Sequence, residues 1–340
     1  MIISRTPYRI SFFGGGTDYP VWYRKNGGAV LSTTINKYCY ITVRYLPPFF
    51  EHRHRIVYGK IENVRYTSEI QHPAVRALLE YFNIDKGVEI HHDGDLPARS
   101  GLGSSSSFTV GLVHCLHALK GVITSKFKLA KEAIHIEREI LKENVGSQDQ
   151  MAVAYGGFNR IVFSEDELFR VEPVTINREK ILQLQNHLML VFTGLSRYAS
   201  EIAREQISST PQKTKELNTM QQMVDEARDI LNGNGSILDF GRLLHESWKL
   251  KRSISGKISN LTIDNIYDTA LKAGAIGGKV LGAGGGGFML LFVPPERHLQ
   301  VKAALKGLLN VKFSFEKEGS QIIYYTESQE EEWSALELKV

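Results

Sequence analysis

Apolar and polar positions alternate through residues 1–13. Ile10 and Phe12 fall on one face and Arg9, Ser11 and Phe13 on the other, the period of a strand or strand pair. Gly14-Gly15-Gly16 ends the run, and three glycines after an apolar strand indicate either a tight turn or backbone pressed close to a ligand. Residues 28–46, rich in Val, Ile, Thr and Tyr, predict paired strands that stop at Pro47-Pro48. His52-Arg53-His54-Arg55 reads as a solvated strand or loop. The spacing of Val75, Leu78, Leu79 and Phe82 predicts a helix over 73–83, and Val88–His92 a short strand. Phe108, Leu112, Cys115, Leu116 and Leu119 repeat the helical spacing. Farther along, residues 187–194 predict a buried strand, and 199–208, 212–232, 237–252 and 263–273 predict helices. Phe288–Val293 predicts a strand, and the acidic run from Glu327 through Glu332 a solvated face or fraying end.

Residues 127–143 predict a helix whose apolar stripe is Ala130, Ala133, Ile134 and Leu141. Steps of about 100° put Glu137 in the middle of that stripe, with Lys131, Glu132, Arg138, Glu139 and Lys142 outside it. A carboxylate there must be paired or hold a cation to offset its desolvation. A structural ion pair with a distant Arg or Lys and a metal role both meet that condition.

The stretch Pro97-Ala98-Arg99-Ser100-Gly101-Leu102-Gly103-Ser104-Ser105-Ser106-Ser107 runs straight into the Phe108 helix. A glycine loop opening a helix makes an anion site, because unpaired N–H groups and the positive end of the helix dipole converge. The other reading, a flexible Gly/Ser connector, sits poorly with Pro97 before the loop and a patterned helix immediately after it. Asp149, in Gly146-Ser147-Gln148-Asp149-Gln150, either caps the following helix or presents a carboxylate beside that loop. Gly282-Ala283-Gly284-Gly285-Gly286-Gly287 satisfies the dinucleotide spacing, but a strand follows it where that motif requires a helix. These glycines instead let one domain's backbone approach a ligand held by the other. No Walker lysine loop and no protein-kinase signature is present.

A chain of 340 residues suggests two domains, which we place at 1–185 and 186–340. Its 42% hydrophobic and 23% charged residues are those of an ordinary globular protein. A net charge of +4 is too small to indicate nucleic acid. The only two cysteines, Cys39 and Cys115, lie in apolar segments and argue against a disulfide framework or a Cys-based metal site. No segment approaches the ~18 apolar residues of a membrane span, and the first residues lack a signal-peptide layout. The expectation is a cytoplasmic protein with no membrane or nucleic-acid partner.

Three motifs, Thr6–Tyr19, Pro97–Ser107 and Leu281–Phe288, closely resemble in content and order those of the small-molecule kinases typified by galactokinase, homoserine kinase, mevalonate kinase and phosphomevalonate kinase. The resemblance spans nearly the whole chain. It implies an α+β fold: an N-terminal domain like ribosomal protein S5, a ferredoxin-like C-terminal domain, and an active site in the cleft between them. It implies ATP and Mg²⁺, with Pro97, Arg99, Ser100, Gly101, Leu102, Gly103, Ser104, Ser105, Ser106 and Ser107 around the ATP phosphates. Ser105 and Glu137 would hold the metal, and Glu137 stands 12 residues before Asp149, the spacing used in galactokinase-like members. Asp149 matches the family's catalytic aspartate, and Arg9 its first-motif arginine.

On the same resemblance, Gly14, Gly15, Gly16, Thr17, Asp18 and Tyr19 would meet the acceptor, together with Gly284, Gly285 and Gly286. Galactokinases carry Gly-Glu-His-Thr-Asp where this chain has Gly14-Gly15-Gly16-Thr17-Asp18, which argues against galactose. That motif, the Gly146–Gln150 turn and Thr193-Gly194-Leu195-Ser196-Arg197 resemble the branch acting on the anomeric hydroxyl of D-glycero-D-manno-heptose 7-phosphate. Such an acceptor needs a second anion site; Arg197, Arg99 and Arg53 are its candidates, Arg197 foremost. Three readings compete: another anomeric sugar kinase such as a fucokinase, a dinucleotide-dependent oxidoreductase, and a non-catalytic nucleic-acid binder. The oligomeric state is not legible.

Overall fold

Two long antiparallel strands, β1 (Ile2–Phe13) and β2 (Gly28–Tyr45), joined through the helix α1 (Pro20–Asn26), form the spine of the first sheet in this computed structural model. It describes residues 1–195, 199–233 and 235–327. The expected pair of strands over 28–46 is therefore one strand. No Gly or Pro breaks it internally, and it passes Asn36 with only a register shift opposite Pro7 and Tyr8. Its length lets it pair on its second edge with several partners. Residues Gly28–Thr33 take β6 (Phe158–Phe163), and Cys39–Tyr45 take β5 (Val88–Gly94).

The remaining elements of the first half follow. The strands β3 (His54–Val57) and β4 (Ile61–Val64) extend the sheet beyond β5, and β7 (Phe169–Pro173) extends it beyond β6. His54 is buried, so the 52–55 segment is not wholly solvated. The helix α2 (Pro73–Tyr81) precedes β5; α3 (Ser104–Leu119), α4 (Lys126–His135) and α5 (Gln148–Tyr155) follow it, and α3 and α5 pack on β1 and β2. The expected single helix over 127–143 changes at its end: Ile136–Ile140 form a widened π turn, the kind of irregularity that functional sites often use. Arg138, assigned to the outer side, is 10% exposed and donates to the Tyr23 hydroxyl at 2.9 Å.

After α6 (Arg178–Asn186), β8 (Leu188–Phe192) opens a second sheet. The helices α7 (Ala199–Ser209), α8 (Thr214–Asn232), α9 (Leu238–Ile254) and α10 (Leu261–Lys272) lead to β9 (Gly277–Val280) and β10 (Phe288–Phe292). The helix α11 (His298–Ala304) and β11 (Leu309–Val311) complete it. Its order, β11-β8-β10-β9 with every pair antiparallel, is the 4-1-3-2 arrangement of a ferredoxin-like β-α-β-β-α-β unit, as the resemblance implied.

The chain then returns to the first sheet. β12 (Phe315–Glu316) pairs with β2, and β13 (Gln321–Tyr325) pairs with β1 from Ile2↔Tyr325 to Arg5↔Gln321. The second unit is thus not the unbroken stretch 186–340, because its last strands complete the first. Aromatic rings join the two parts: Phe12 lies 5.4 Å from Phe240 of α9, and Phe13 5.1 Å from the same ring, both edge-on. No helix among the described residues is long and apolar enough to cross a membrane.

Candidate active site

The stretch from Pro97 to Ser107 is no linker. Gly101 (φ +81°) and Gly103 (φ +75°) take left-handed backbone, and Gly103 is the N-cap of α3, whose first N–H groups have no side-chain cap. A Cβ on Gly101 would lie 2.4 Å from the Leu281 carbonyl oxygen. Not every residue of the stretch faces one way. Pro97, Arg99 and Ser105 are exposed, Ser100 and Leu102 are buried, and the Arg99 N–H donates to the Ser104 hydroxyl at 3.2 Å. Ser107 is used by the fold itself, donating to the Pro7 carbonyl at 2.9 Å.

Arg9 stands directly below this loop. Its backbone N–H donates to Leu102 O at 2.9 Å and its Nη1 to Gly101 O at 2.6 Å. The rest of the guanidinium grips Asp149 in a fork, Nε to Oδ1 at 2.7 Å and Nη2 to Oδ2 at 2.6 Å. Asp149 sits in the first turn of α5, where Ser147 is the N-cap residue; its carboxylate is presented beside the phosphate-loop candidate. Arg9 is 3% exposed and Asp149 25%, so the carboxylate remains within reach of a bound molecule.

The Gly14–Tyr19 turn packs against the start of α5. Thr17 closes it, its hydroxyl donating to the carbonyls of Gly14 (2.8 Å) and Ala29 (2.9 Å). Asp18 is buried and accepts the Gly16 N–H at 2.9 Å, while its own carbonyl accepts the Ser147 N–H at 3.0 Å. Burial pushes the Asp18 carboxyl up from its ordinary value, and the Asp149 charge adds to this. The Tyr19 phenol is buried beside it, and burial raises it too. Ser11 donates to the Gln148 side-chain oxygen at 2.7 Å, tying β1 to the start of α5.

Gly282–Gly287 meets protein backbone. Phe288 N–H donates to Ser100 O at 3.0 Å, and a Cβ on Gly287 would lie 2.3 Å from that same oxygen. The structure places Gly284, Gly285 and Gly286 against the backbones of Ile258 and Leu195, with Gly285 N–H donating to Ile258 O at 2.8 Å. The approach expected of these glycines is to a ligand; the contacts present are with protein backbone, and those of Gly282 and Gly287 join the second unit to the phosphate-loop candidate. Arg197 lies outside the described residues.

Glu137 is fully buried, as its place in the apolar stripe predicted. Among the described residues it makes no ion pair, which leaves the structural-pair alternative without a partner there. Its Oε2 accepts from Ser106 at 3.0 Å and from the Gln150 amide, while Oε1 has no partner. Burial raises its carboxyl to about 7, with the Glu143 charge acting in the same direction and the hydrogen bonds from Gln150 and Ser106 opposing. The hydroxyl beside Glu137 is that of Ser106, not Ser105. An orphaned carboxylate oxygen next to a hydroxyl is the hard oxygen chemistry that Mg²⁺ prefers, so these residues fit that ion. No group of three or more His, Cys, Asp or Glu among the described residues could hold a metal alone.

Two functional candidates escaped the sequence reading. Lys251 is 5% exposed and donates to the Gly282 carbonyl at 2.5 Å; Lys279 is 2% exposed and donates to Phe12 O at 2.9 Å. The same stripe argument that isolates Glu137 would have isolated Lys251, since Phe240, Leu244, Ser247, Trp248 and Lys251 share the buried face of α9.

This geometry, an anion-binding helix start with a forked Arg–Asp pair beneath it, meets its match in comparison with known proteins. Residues 68–157 match the family model of the GHMP kinases N terminal domain, and residues 222–310 that of the GHMP kinases C terminal. The chain belongs to the GHMP kinases. This GHMP kinase is 31% identical over 337 residues to the D-glycero-alpha-D-manno-heptose 7-phosphate kinase of Campylobacter jejuni, covering 94% of this chain and 97% of that one. It is 24% identical over 343 residues to the galactokinase of Pyrococcus furiosus, covering 92% and 95%. A solved D-glycero-D-manno-heptose 1-phosphate kinase from Bacteroides thetaiotaomicron superposes with a TM-score of 0.79 at 25% identity, covering 96% of this chain and all of that one. It is a sugar kinase of the GHMP family, and that family implies ATP as the phosphoryl donor.

Proposed function

We propose that this GHMP kinase transfers the terminal phosphoryl group of ATP to the anomeric hydroxyl of D-glycero-D-manno-heptose 7-phosphate, giving the 1,7-bisphosphate for nucleotide-activated heptose synthesis. The observation that carries the chemistry is the Arg9–Asp149 fork beneath the Gly101–Gly103 loop, because it puts a reachable carboxylate next to an anion-binding helix start. The choice of sugar rests on likeness: the Campylobacter relative is a heptose 7-phosphate kinase and the Bacteroides neighbour a heptose 1-phosphate kinase.

A sugar hydroxyl is a poor nucleophile at neutral pH. Asp149 accepts its proton as the oxygen attacks the γ-phosphorus, the bond from that phosphorus to the β-phosphate oxygen breaks, and ADP leaves. A positioned base of this kind is worth ~10²–10⁴-fold. Arg9 fixes the carboxylate's orientation and sets a positive charge beside the phosphoryl oxygens, and the N–H groups opening α3 receive the donor phosphates. Glu137 and Ser106, with Ser105 at the same helix start, would hold Mg²⁺, which when bound supplies charge neutralisation on the phosphates. Asp18 and the Gly14–Thr17 turn would seat the acceptor.

The test is ADP release with Mg-ATP across heptose 7-phosphate, fucose, galactose, mannose and mevalonate. We expect turnover on heptose 7-phosphate alone. Turnover on fucose instead would favour the second reading, which a 24% identical L-fucokinase/L-fucose-1-P guanylyltransferase of Bacteroides fragilis keeps open, its match covering 90% of this chain but 36% of that one.

A further inference from the structure

The two buried lysines are what the proposed chemistry leaves unused. Around the junction of the Gly14–Asp18 turn, the start of α5, α9 and β9 lie three cationic side chains, Arg9, Lys251 and Lys279, and two carboxylates, Asp18 and Asp149. Arg9 and Asp149 neutralise one another through their fork. Neither lysine forms an ion pair with Asp18 or with any other carboxylate among the described residues. An ammonium carries three donors, and among the described residues each lysine donates to one acceptor, a backbone carbonyl. Burying charge with so little compensation is costly unless something arrives to complete it.

The position of Lys251 indicates what arrives. A Cβ on Gly15 would lie 3.9 Å from Lys251 Nζ, 3.8 Å from the Gln148 amide nitrogen and 4.0 Å from the Ser11 hydroxyl. The missing side chain of Gly15 therefore opens a small corner edged by an ammonium, an amide and a hydroxyl. Lys251 reaches this corner from α9 and meets the Gly15 turn there, whereas Ser106 belongs to the start of α3 and Glu137 to the π turn that follows α4. Burial holds the Lys251 ammonium down to about 8 and Lys279 well below its ordinary value, with the Arg9 charge acting in the same direction and Asp18 opposing at both.

We propose that Lys251, backed by Lys279 and edged by Gln148 and Ser11, is the subsite for a phosphate monoester carried by the acceptor. This rests on the reading of the enzyme as a sugar-phosphate kinase. With Asp18 the one carboxylate left to face two lysines, a phosphate monoester supplies the missing negative charge, and its oxygens accept from the free donors of Lys251. Lys251 is a specificity-determining residue: it selects a phosphorylated acceptor over the bare sugar.

The deciding comparison is Lys251→Met against the wild type, with saturating ATP and two acceptors, heptose 7-phosphate and the same heptose without phosphate. For the phosphorylated acceptor we expect kcat/KM to fall at least ~30-fold, mainly through KM. For the bare heptose it should change less than ~3-fold, and the KM for ATP should stay put. Equal losses on both acceptors, or a loss confined to kcat, would overturn the proposal and assign Lys251 to the ATP phosphates. A second measurement needs neither turnover nor a folded variant. Mannose 6-phosphate should raise the wild-type melting temperature in the presence of saturating ATP analogue, and mannose should not. Equal effects of the two sugars would count against the subsite even if heptose is the wrong acceptor. Failure of the functional reading shows separately, as a wild type that does not turn over heptose 7-phosphate.

Discussion

Arg9 and Asp149 stand 140 residues apart in the chain, yet the Arg9 guanidinium holds both oxygens of the Asp149 carboxylate. β1 carries the one and the first turn of α5 the other, and the phosphate-loop candidate hangs on the same arginine through the Gly101 and Leu102 carbonyls. The pair therefore does two jobs: it aims a carboxylate, and it registers the loop above that carboxylate.

Asp149→Asn should lower kcat by ~10²–10⁴-fold with little change in KM. A variant keeping more than a tenth of wild-type kcat would show that this carboxylate is not the base. The substitution also strands Arg9 in the interior. The double variant Arg9→Met/Asp149→Asn should accordingly melt less far below wild type than the two single losses predict, with a coupling of ~1–3 kcal/mol in a denaturation cycle.

Glu137→Gln keeps an acceptor for Ser106 but removes the ionisable oxygen. We expect the folded protein to be as stable as wild type or more so at pH 8, because an interior carboxylate that must ionise near 7 is replaced by a neutral amide. Activity should nonetheless need at least ~10-fold more Mg²⁺ for half-saturation. An unchanged Mg²⁺ dependence would remove Glu137 from the metal site.

Gly101 and Gly121 both have positive φ, but only Gly101 is crowded: its Cβ would meet Leu281 O at 2.4 Å, whereas nothing lies within 4 Å of Gly121. Gly121→Ala should cost only the conformational strain, about 1 kcal/mol. Gly101→Ala should cost ~3 kcal/mol or more and also abolish activity, since it separates the loop from Gly282. Thermal melts of the two variants check the difference.

His114 shares a hydrogen bond with the Ser320 hydroxyl at 3.0 Å, and Ser320 shares another with Thr6 at 2.8 Å, so α3, β1 and the returning tail meet there. Burial pushes the imidazole down to about 4, with His117 adding to the effect. The unfolded chain takes up a proton near 6.5 and the folded one does not until about 4. The resulting stability is complete above pH 6.5 and is lost as pH falls toward 4, about 3 kcal/mol in all. Glu137 acts in the opposite sense between pH 4.5 and about 7, so the contrast to measure is wild type against His114→Gln. We expect the wild type to lose about 2 kcal/mol more than the variant between pH 7 and pH 5 in urea melts. Parallel losses would place the penalty elsewhere.

What the sequence by itself determined is what a short window can record. Glycine runs marked Gly101 and Gly103 because left-handed backbone excludes most other residues. Periodicity marked the helices and strands and exposed Glu137, because one polar side chain in an apolar stripe is a local contradiction. Tertiary structure alone decided who meets whom. It made residues 28–45 one strand, since an edge free to pair along its whole length needs no turn, and it sent β12 and β13 back to complete the first sheet. It put Ser106 rather than Ser105 on Glu137, pressed Gly282–Gly287 onto Ser100 and Gly101, and gathered Lys251 and Lys279 beside Asp18. Such contacts depend on packing between segments well separated along the chain, and no local pattern encodes which buried face lies against which.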